Sequence, residues 1–487
     1  MRRRFRWLHR CAGLSIVGAL VLGANAVAAA PAEGEAPAKK EAAPKKEAAP
    51  KKEKAALHPG ESRDFDGSAL GVKLKVRAFA LQNGLRVYVV EDHSVPAFAM
   101  HTAFNVGSRD EVEGRTGFAH FFEHMMFKGS QNVPDGGHFK YVLGAGGDMN
   151  AFTDSDTTGY YNILPSHYLD MVLWLESDRL KSLEVTEKNF KNQRDAIEEE
   201  RLMRYENPPY AKALQTFFAE VWAGTGYGHP TIGSKEDLDA AEVGDVKTFF
   251  DKYYVPNNAV ISIVGDVEFD DVKAKIEKYY GEIPKGEDRQ PFAPIVHEQK
   301  AIKKQVTDEH AQQPLYVMGW ITVPETHPDR HALELLMNIL LRGESAKISK
   351  VLKDDKKLVV GSVPLPATMS GGRDAGTALG AFIPAPGKTF AEIQAVVLAE
   401  IDKVKKRGIS TKDLQKAKNQ LEVDTVSSLA TNNGRAFLIA AGAVSDGDPL
   451  YILTDLQKYQ AVTTRDIKRV AEKYLTDKWL TLEIAPK

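Results

Sequence analysis

Val243-Gly-Asp-Val-Lys-Thr-Phe-Phe-Asp-Lys-Tyr-Tyr-Val-Pro-Asn-Asn-Ala-Val-Ile-Ser-Ile263 and Thr464-Arg-Asp-Ile-Lys-Arg-Val-Ala-Glu-Lys-Tyr-Leu-Thr-Asp-Lys-Trp-Leu-Thr-Leu-Glu-Ile484 carry one helix-then-strand pattern twice. They share Asp245/Asp466, Lys252/Lys473 and Tyr253/Tyr474 at a constant separation of 221 residues, close to half of the globular part. Self-similarity at that distance predicts two similar domains in tandem. Alternating strands such as Leu85-Arg-Val-Tyr-Val-Val90 and Ala97-Phe-Ala-Met-His-Thr-Ala-Phe104 are interleaved with helix-length amphipathic stretches. The fold class is therefore α+β: two homologous domains, each a mostly antiparallel sheet packed with helices, after a signal peptide and a disordered linker.

Outward from the repeat, Pro284 to Pro294 is rich in Pro, Gly and charge and reads as the join between the halves. This divides the chain into a first domain over 73–283, an interdomain linker over 284–305 and a second domain over 306–487. At the other end, Met1-Arg-Arg-Arg-Phe-Arg-Trp-Leu-His-Arg10 is a basic region followed by an apolar run. The small-x-small sites Ala24-Asn-Ala26 and Ala26-Val-Ala28 follow it, so residues 1–28 read as a secretory signal peptide. That predicts an exported protein, periplasmic or secreted, with no membrane span in the mature chain. Cys11 is the only cysteine and would leave with the signal. Residues 29–72 read as a disordered linker: Lys-Lys-Glu-Ala-Ala-Pro occurs at Lys39, Lys45 and, truncated, Lys51, and residues 31–56 hold no aromatic or β-branched residue. The formal net charge of -2 gives no reason to expect nucleic acid as a partner.

The chemistry lies in Gly117-Phe-Ala-His-Phe-Phe-Glu-His-Met-Met-Phe-Lys128, where His120, Glu123 and His124 spell HxxEH, the inverse of HExxH. With His at 13 of 487 residues and Glu at a typical usage of about 6%, about 0.02 chance matches are expected. On a helix, His120, Glu123, His124 and Phe127 share one face, while Phe118, Phe121, Phe122 and Met125 form the opposite, core-facing stripe. Thr116 is the expected N-cap and Gly129 the expected residue just past the end, giving about three turns. Two imidazoles on one turn can share a zinc ion, and Glu123 can act as general base on its water. Carried by the repeat separation, the motif lands near Leu341, Glu344 and Ser345, so the second half is expected to lack a metal site.

A catalytic zinc ordinarily takes three protein ligands, so a further one, typically a carboxylate, must come from another element. Asn192-Gln-Arg-Asp-Ala-Ile-Glu-Glu-Glu-Arg201 offers Glu198, Glu199 and Glu200 on chemistry alone. Together with HxxEH, this segment resembles the pitrilysin family of zinc metallopeptidases, and in particular the β subunit of mitochondrial processing peptidase and its bacterial relatives. Asn83-Gly-Leu-Arg-Val87, Gly107-Ser-Arg-Asp110, Gly146-Gly-Asp-Met-Asn-Ala151, Thr157-Thr-Gly-Tyr-Tyr161 and Tyr254-Val-Pro-Asn-Asn-Ala259 extend the resemblance over nearly all of the chain after residue 75. In that family the third ligand lies about 76 residues past the second histidine, which implies Glu200. Gln193 then shares its helix face, where the family usually has glutamate, a further carboxylate near the metal site.

The resemblance implies a zinc-dependent endopeptidase acting on unfolded peptides or polypeptide segments. Zn2+ would be held by His120, His124 and Glu200, with Glu123 as base on the zinc-bound water. Asn150 and Ala151 would lie on the strand to which an extended peptide adds. Family members carry an arginine and a tyrosine seven residues apart that hold the substrate backbone; Lys353 and Val360 stand at those positions here. The expectation is a heterodimer with a paralogous subunit lacking HxxEH, with a homodimer as fallback. The competing class is a non-catalytic processing-peptidase-like scaffold or partner subunit.

Overall fold

The computed structural model describes residues 57–69, 71–289, 297–364, 369–371 and 373–487. The signal reading at 1–28 and the Lys-Lys-Glu-Ala-Ala-Pro repeats lie outside the described residues.

The first half runs β1 (Ser62–Ala69), β2 (Val72–Ala80), β3 (Arg86–Glu91), β4 (Ala97–Phe104), α1 (Phe118–Met125), α2 (Gly137–Gly144), β5 (Asp148–Thr153) and β6 (Thr158–Pro165). It continues with α3 (Leu169–Ser182), α4 (Glu187–Arg201), α5 (Ala211–Val221), α6 (Lys235–Ala240), α7 (Val243–Tyr253), β7 (Ala259–Gly265) and α8 (Phe269–Tyr280). The second half runs β8 (Ile302–Asp308), β9 (Leu315–Ile321), α9 (Arg330–Leu341), α10 (Lys347–Lys350), β10 (Val359–Pro364), β11 (Met369–Gly371) and β12 (Asp374–Pro384). Its remaining elements are α11 (Phe390–Arg407), α12 (Thr411–Leu429), α13 (Asn432–Ser445), α14 (Tyr451–Ala461), α15 (Thr464–Tyr474) and β13 (Leu480–Pro486).

The two sheets have one plan. The first is ordered β1-β2-β3-β7-β4-β6-β5 and the second β10-β12-β9-β13-β8, so β3-β7-β4-β6-β5 corresponds to β8-β13-β9-β12-β10. In each, the pair β3/β7 or β8/β13 is parallel and the other pairs are antiparallel. The repeat read in the sequence is the pair α7/α15 with β7/β13, whose bounds differ by the same 221 residues.

Each sheet buries one face under its own helices and the other under a helix from the opposite half. The α1 side of the first sheet holds Phe79, Val87, Met100 and Phe104 against Phe121, Phe122 and Met125. Its other face, with Tyr88, Ala99, Ala103 and Val264, meets Ala436, Ile439, Ala440 and Ala443 of α13. Reciprocally, Leu214, Phe217 and Val221 of α5 cover Leu315, Val317, Leu480 and Leu482 of the second sheet. Apolar residues on both strand faces need two cover layers, and the exchange of helices supplies the second.

Two domain limits differ from the sequence reading. The end of the stretch 29–72 is folded: β1 pairs with β2 over eight residues, and Leu57 and Ala69 are buried. Ser-Arg-Asp-Phe-Asp-Gly-Ser-Ala is linker-like in composition, but main-chain pairing orders an edge strand that has little apolar surface of its own. Likewise β8 begins at Ile302, inside the stretch 284–305.

The motif's counterpart in the second half also moves. Phe104 faces Ala259 in the first sheet and Gly319 faces Leu480 in the second, so the separation has shortened by β4. Gly129 and Gly343, left-handed at φ 105° and 84°, follow α1 and α9 and serve as equivalent points. Counted back from them, His120, Glu123 and His124 correspond to Glu334, Met337 and Asn338 rather than to Leu341, Glu344 and Ser345. Counted from the caps Thr186 and Ser410, Glu200 corresponds to Asp424, with Phe190/Leu414 and Ile197/Leu421 buried alike. The second half thus lacks both imidazoles, and Asp424 is paired with Arg342 at 2.7 Å.

Candidate metal centre

Helix α1 is fixed at both ends by its surroundings. Its N-cap is Gly117 at φ 92°, where a Cβ would lie 2.7 Å from the Ile232 carbonyl oxygen. The amides of Gly117 and Ala119 donate to the Glu111 carboxylate at 2.7 and 2.8 Å, so a side chain six residues upstream satisfies the exposed helix start. Thr116, expected as the cap, instead bonds Asp237 through its amide and hydroxyl. The helix has eight residues, shorter than the expected three turns, and its stripe Phe118, Phe121, Phe122 and Met125 is buried as expected.

Opposite that stripe, the imidazoles of His120 and His124 have ring centroids 4.7 Å apart. Helix α4 is capped by Thr186, anchored by Phe190 and Ile197, and carries Glu200 in its last turn. Glu200 Oε2 lies 3.3 Å from His124 Nε2 and 3.8 Å from His120 Nε2. Among the described residues these three form one group whose ligand atoms all lie within 4.8 Å of one another. Atoms bound at about 2.0–2.2 Å to a tetrahedral zinc are about 3.4 Å apart, so two nitrogens and a carboxylate at these separations fit that ion. Burial, then the neighbouring His124, hold His120 down to about 3, leaving at neutral pH the uncharged imidazole a metal requires. Burial alone would raise Glu200; the His124 hydrogen bond, His120 and Arg204 outweigh it and leave the carboxyl at about 2.

Glu123 shares the helix turn but not the cluster. Its Oε2 accepts the Thr153 hydroxyl at 2.7 Å, and burial pushes its carboxyl up against that hydrogen bond. Thr153 ends β5, which pairs with β6 and forms the outer edge of the first sheet. Asn150 and Ala151 lie on this edge; Asn150 is exposed, Ala151 is half-buried, and Asn150 Oδ1 accepts the Ala151 amide at 2.9 Å. The general-base candidate and the edge strand of the sheet are thus joined by one side chain.

The Gln193 amide donates to Asn192 Oδ1 at 2.8 Å. The group beside Glu200 is Arg204, whose Nη1 lies 2.7 Å from Glu200 Oε1. Arg204 sits in a π-helical segment, Leu202–Glu206, that continues α4. Its i, i+4 spacing from Glu200 was visible in the sequence; Glu111 and Thr153 carried no comparable local signal. In the second half, Lys353 pairs with Glu344 at 2.8 Å, and Val360 stands 51% exposed on β10 with no side-chain donor.

Residues 86–235 match the family described as Insulinase (Peptidase family M16), and residues 241–421 match Peptidase M16 inactive domain. The two matches adjoin and together span more than half of the chain. The chain belongs to the M16 peptidase family. A zinc protease of Helicobacter pylori, PqqE, is 28% identical over 408 residues, 83% of this chain and 91% of that protein. The crystal structure of a protease from Helicobacter pylori superposes with a TM-score of 0.77 at 27% identity, covering 84% of this chain and 99% of that one. Pitrilysin shares the fold, with a TM-score of 0.73 at 18% identity, over 88% of this chain and 47% of that chain. The M16 region named inactive contains α9, where Glu334, Met337 and Asn338 stand in place of the motif, and most of α12; Asp424 lies on α12 just past the end of the match. Among the described residues, no helix is long and apolar enough to cross a membrane.

Proposed function

We propose that this M16 chain is a zinc-dependent endopeptidase that hydrolyses unfolded peptides or polypeptide segments. The observation that carries the reading is the convergence of His120, His124 and Glu200, from two helices, beside a carboxylate held on the edge strand. These three residues would hold Zn2+. When bound, the ion supplies Lewis acidity toward the scissile carbonyl and lowers the pKa of water. Glu123, oriented by Thr153, takes a proton from the attacking water and passes it to the leaving amine. The edge of β5 at Asn150 and Ala151 receives the substrate as an added strand, which selects extended chains over folded ones. PqqE, described as a zinc protease, supports the same class.

The chain acts as a heterodimer with a paralogous subunit lacking HxxEH, in an exported compartment. Lys353 and Val360, where related chains carry arginine and tyrosine, support the need for a partner that completes the substrate clamp; the basic and apolar start of the sequence supports export. The test is zinc content and cleavage of a quenched unstructured peptide by wild type and Glu123→Gln, each with and without the candidate partner. Zinc in both proteins and a loss of about 10²–10⁴-fold in turnover for Glu123→Gln are expected. Turnover by the variant at the wild-type rate would remove Glu123 from the mechanism. Absence of zinc and turnover in every mixture would identify a scaffold.

A further inference from the structure

The hairpin that presents Thr153 to Glu123 is gripped from both halves of the molecule. Its turn, 154–157, is closed by Asp154, which accepts the amides of Asp156 and Thr157 at 2.7 Å each. The Asp154 and Ser155 carbonyls accept the amides of Ser108 and Arg109. Gly107 permits this approach, since a Cβ there would lie 2.4 Å from the Asp156 amide nitrogen. Asp156 Oδ1 forms an ion pair with Arg109, at 2.7 Å from Nε, and accepts the Tyr227 hydroxyl at 2.8 Å, all from the first half. Asp156 Oδ2 is left for the second half, and the Arg373 amide donates to it at 3.2 Å. The Arg373 guanidinium donates to Asn105 Oδ1 at the end of β4, and Arg289 of the interdomain segment binds the Asn105 carbonyl and Asp110.

Arg373 directly precedes β12, at the tip of the β11–β12 hairpin of the second sheet. The second half therefore touches the active-site hairpin three residues beyond Thr153. We propose that Arg373 is a positioning residue: its amide holds Asp156, and its guanidinium braces Asn105 at the start of the 105–109 segment that pairs with the 154–157 turn, so that the side chain fixes Thr153 and, through it, the Glu123 carboxylate. The metal group stands apart from this route, because His120, His124 and Glu200 lie on α1 and α4. Loss of the grip thus leaves zinc in place and displaces the base, and a displacement of about 1 Å in a reacting group can cost up to about 10²-fold in rate.

This inference rests on the peptidase reading for its kinetic arm and on geometry alone for its structural arm. The experiment compares the full chain, with its partner where one is required, as wild type, Arg373→Ala and Arg373→Lys. Arg373→Ala is expected to lower kcat about tenfold with KM within about twofold and zinc per chain unchanged. Amide hydrogen exchange over 148–158 is expected to quicken, with α1 and α4 unaffected, and Arg373→Lys to restore both measures. Unchanged exchange over 148–158 in Arg373→Ala, or wild-type kcat despite faster exchange there, would overturn the proposal. So would faster exchange spread through the whole second sheet, which marks general destabilisation. If wild type shows no turnover, the peptidase reading fails separately and hydrogen exchange alone decides the coupling.

Discussion

Asp154 follows the residue that holds the general-base candidate, and its charge is expected to shape stability near the site. Burial, and then the neighbouring Asp156 carboxylate, push its carboxyl up to about 7. The unfolded chain loses this proton near pH 3.9, about the ordinary aspartate value, while the folded protein keeps it to about 7. Stability from this group therefore falls as pH rises from about 4 to about 7, and the cost persists above that window. An asparagine carbonyl can still accept the Asp156 and Thr157 amides. Asp154→Asn is expected to raise Tm relative to wild type progressively across pH 4 to 7; a Tm difference that does not grow with pH would contradict the assignment. At this same scale the structure gathers His120, His124 and Glu200, with Glu123 on the same helix turn, while Gln193 donates to Asn192. A helical wheel gives the face a residue occupies, but a long side chain on the rim of that face chooses its partner by local geometry.

At the scale of the element, α1 depends on contacts remote in sequence. The helix reaches its C-cap at Met126, three residues before the expected Gly129, but its stripe of Phe118, Phe121, Phe122 and Met125 was legible from periodicity. Its start was not, because the capping carboxylate is Glu111, outside the helix and off any capping-box spacing. Glu111→Ala leaves two buried amides without an acceptor and is expected to cost about 1–3 kcal/mol, read by denaturant unfolding. Zinc affinity, measured by chelator competition, is expected to fall in parallel, because His120 lies within the first turn that Glu111 secures. The edge strand β1 was illegible for a related reason: Ser62–Ala69 offers little apolar surface, and its eight-residue pairing with β2 is a property of two strands together.

For the whole molecule, the exchange of helices makes each half a part of the other's core. Phe217 of α5 is fully buried against the second sheet, although it belongs to the first half of the chain. Phe217→Ala is expected to cost about 3–5 kcal/mol and to quicken hydrogen exchange in β9 and β13 before the α1 face of the first sheet. Loss confined to the first half would contradict the interlocked arrangement.

The sequence by itself determined that there are two α+β halves, that the HxxEH motif occurs in the first of them, and which face of its helix is core. These follow from periodicity and spacing, which depend on local backbone geometry and on each residue's need to bury or expose its side chain. Only the tertiary structure decided that Glu200 meets His120 and His124, that Thr153 holds Glu123, and that α5 and α13 cross to the opposite sheets. It also decided that Glu334, Met337 and Asn338, rather than residues at the repeat's constant separation, stand in the motif's place. Those relations depend on how elements far apart in the chain satisfy shared apolar surface and unpaired polar groups, and insertions between elements shift the separation without disturbing the packing that defines correspondence.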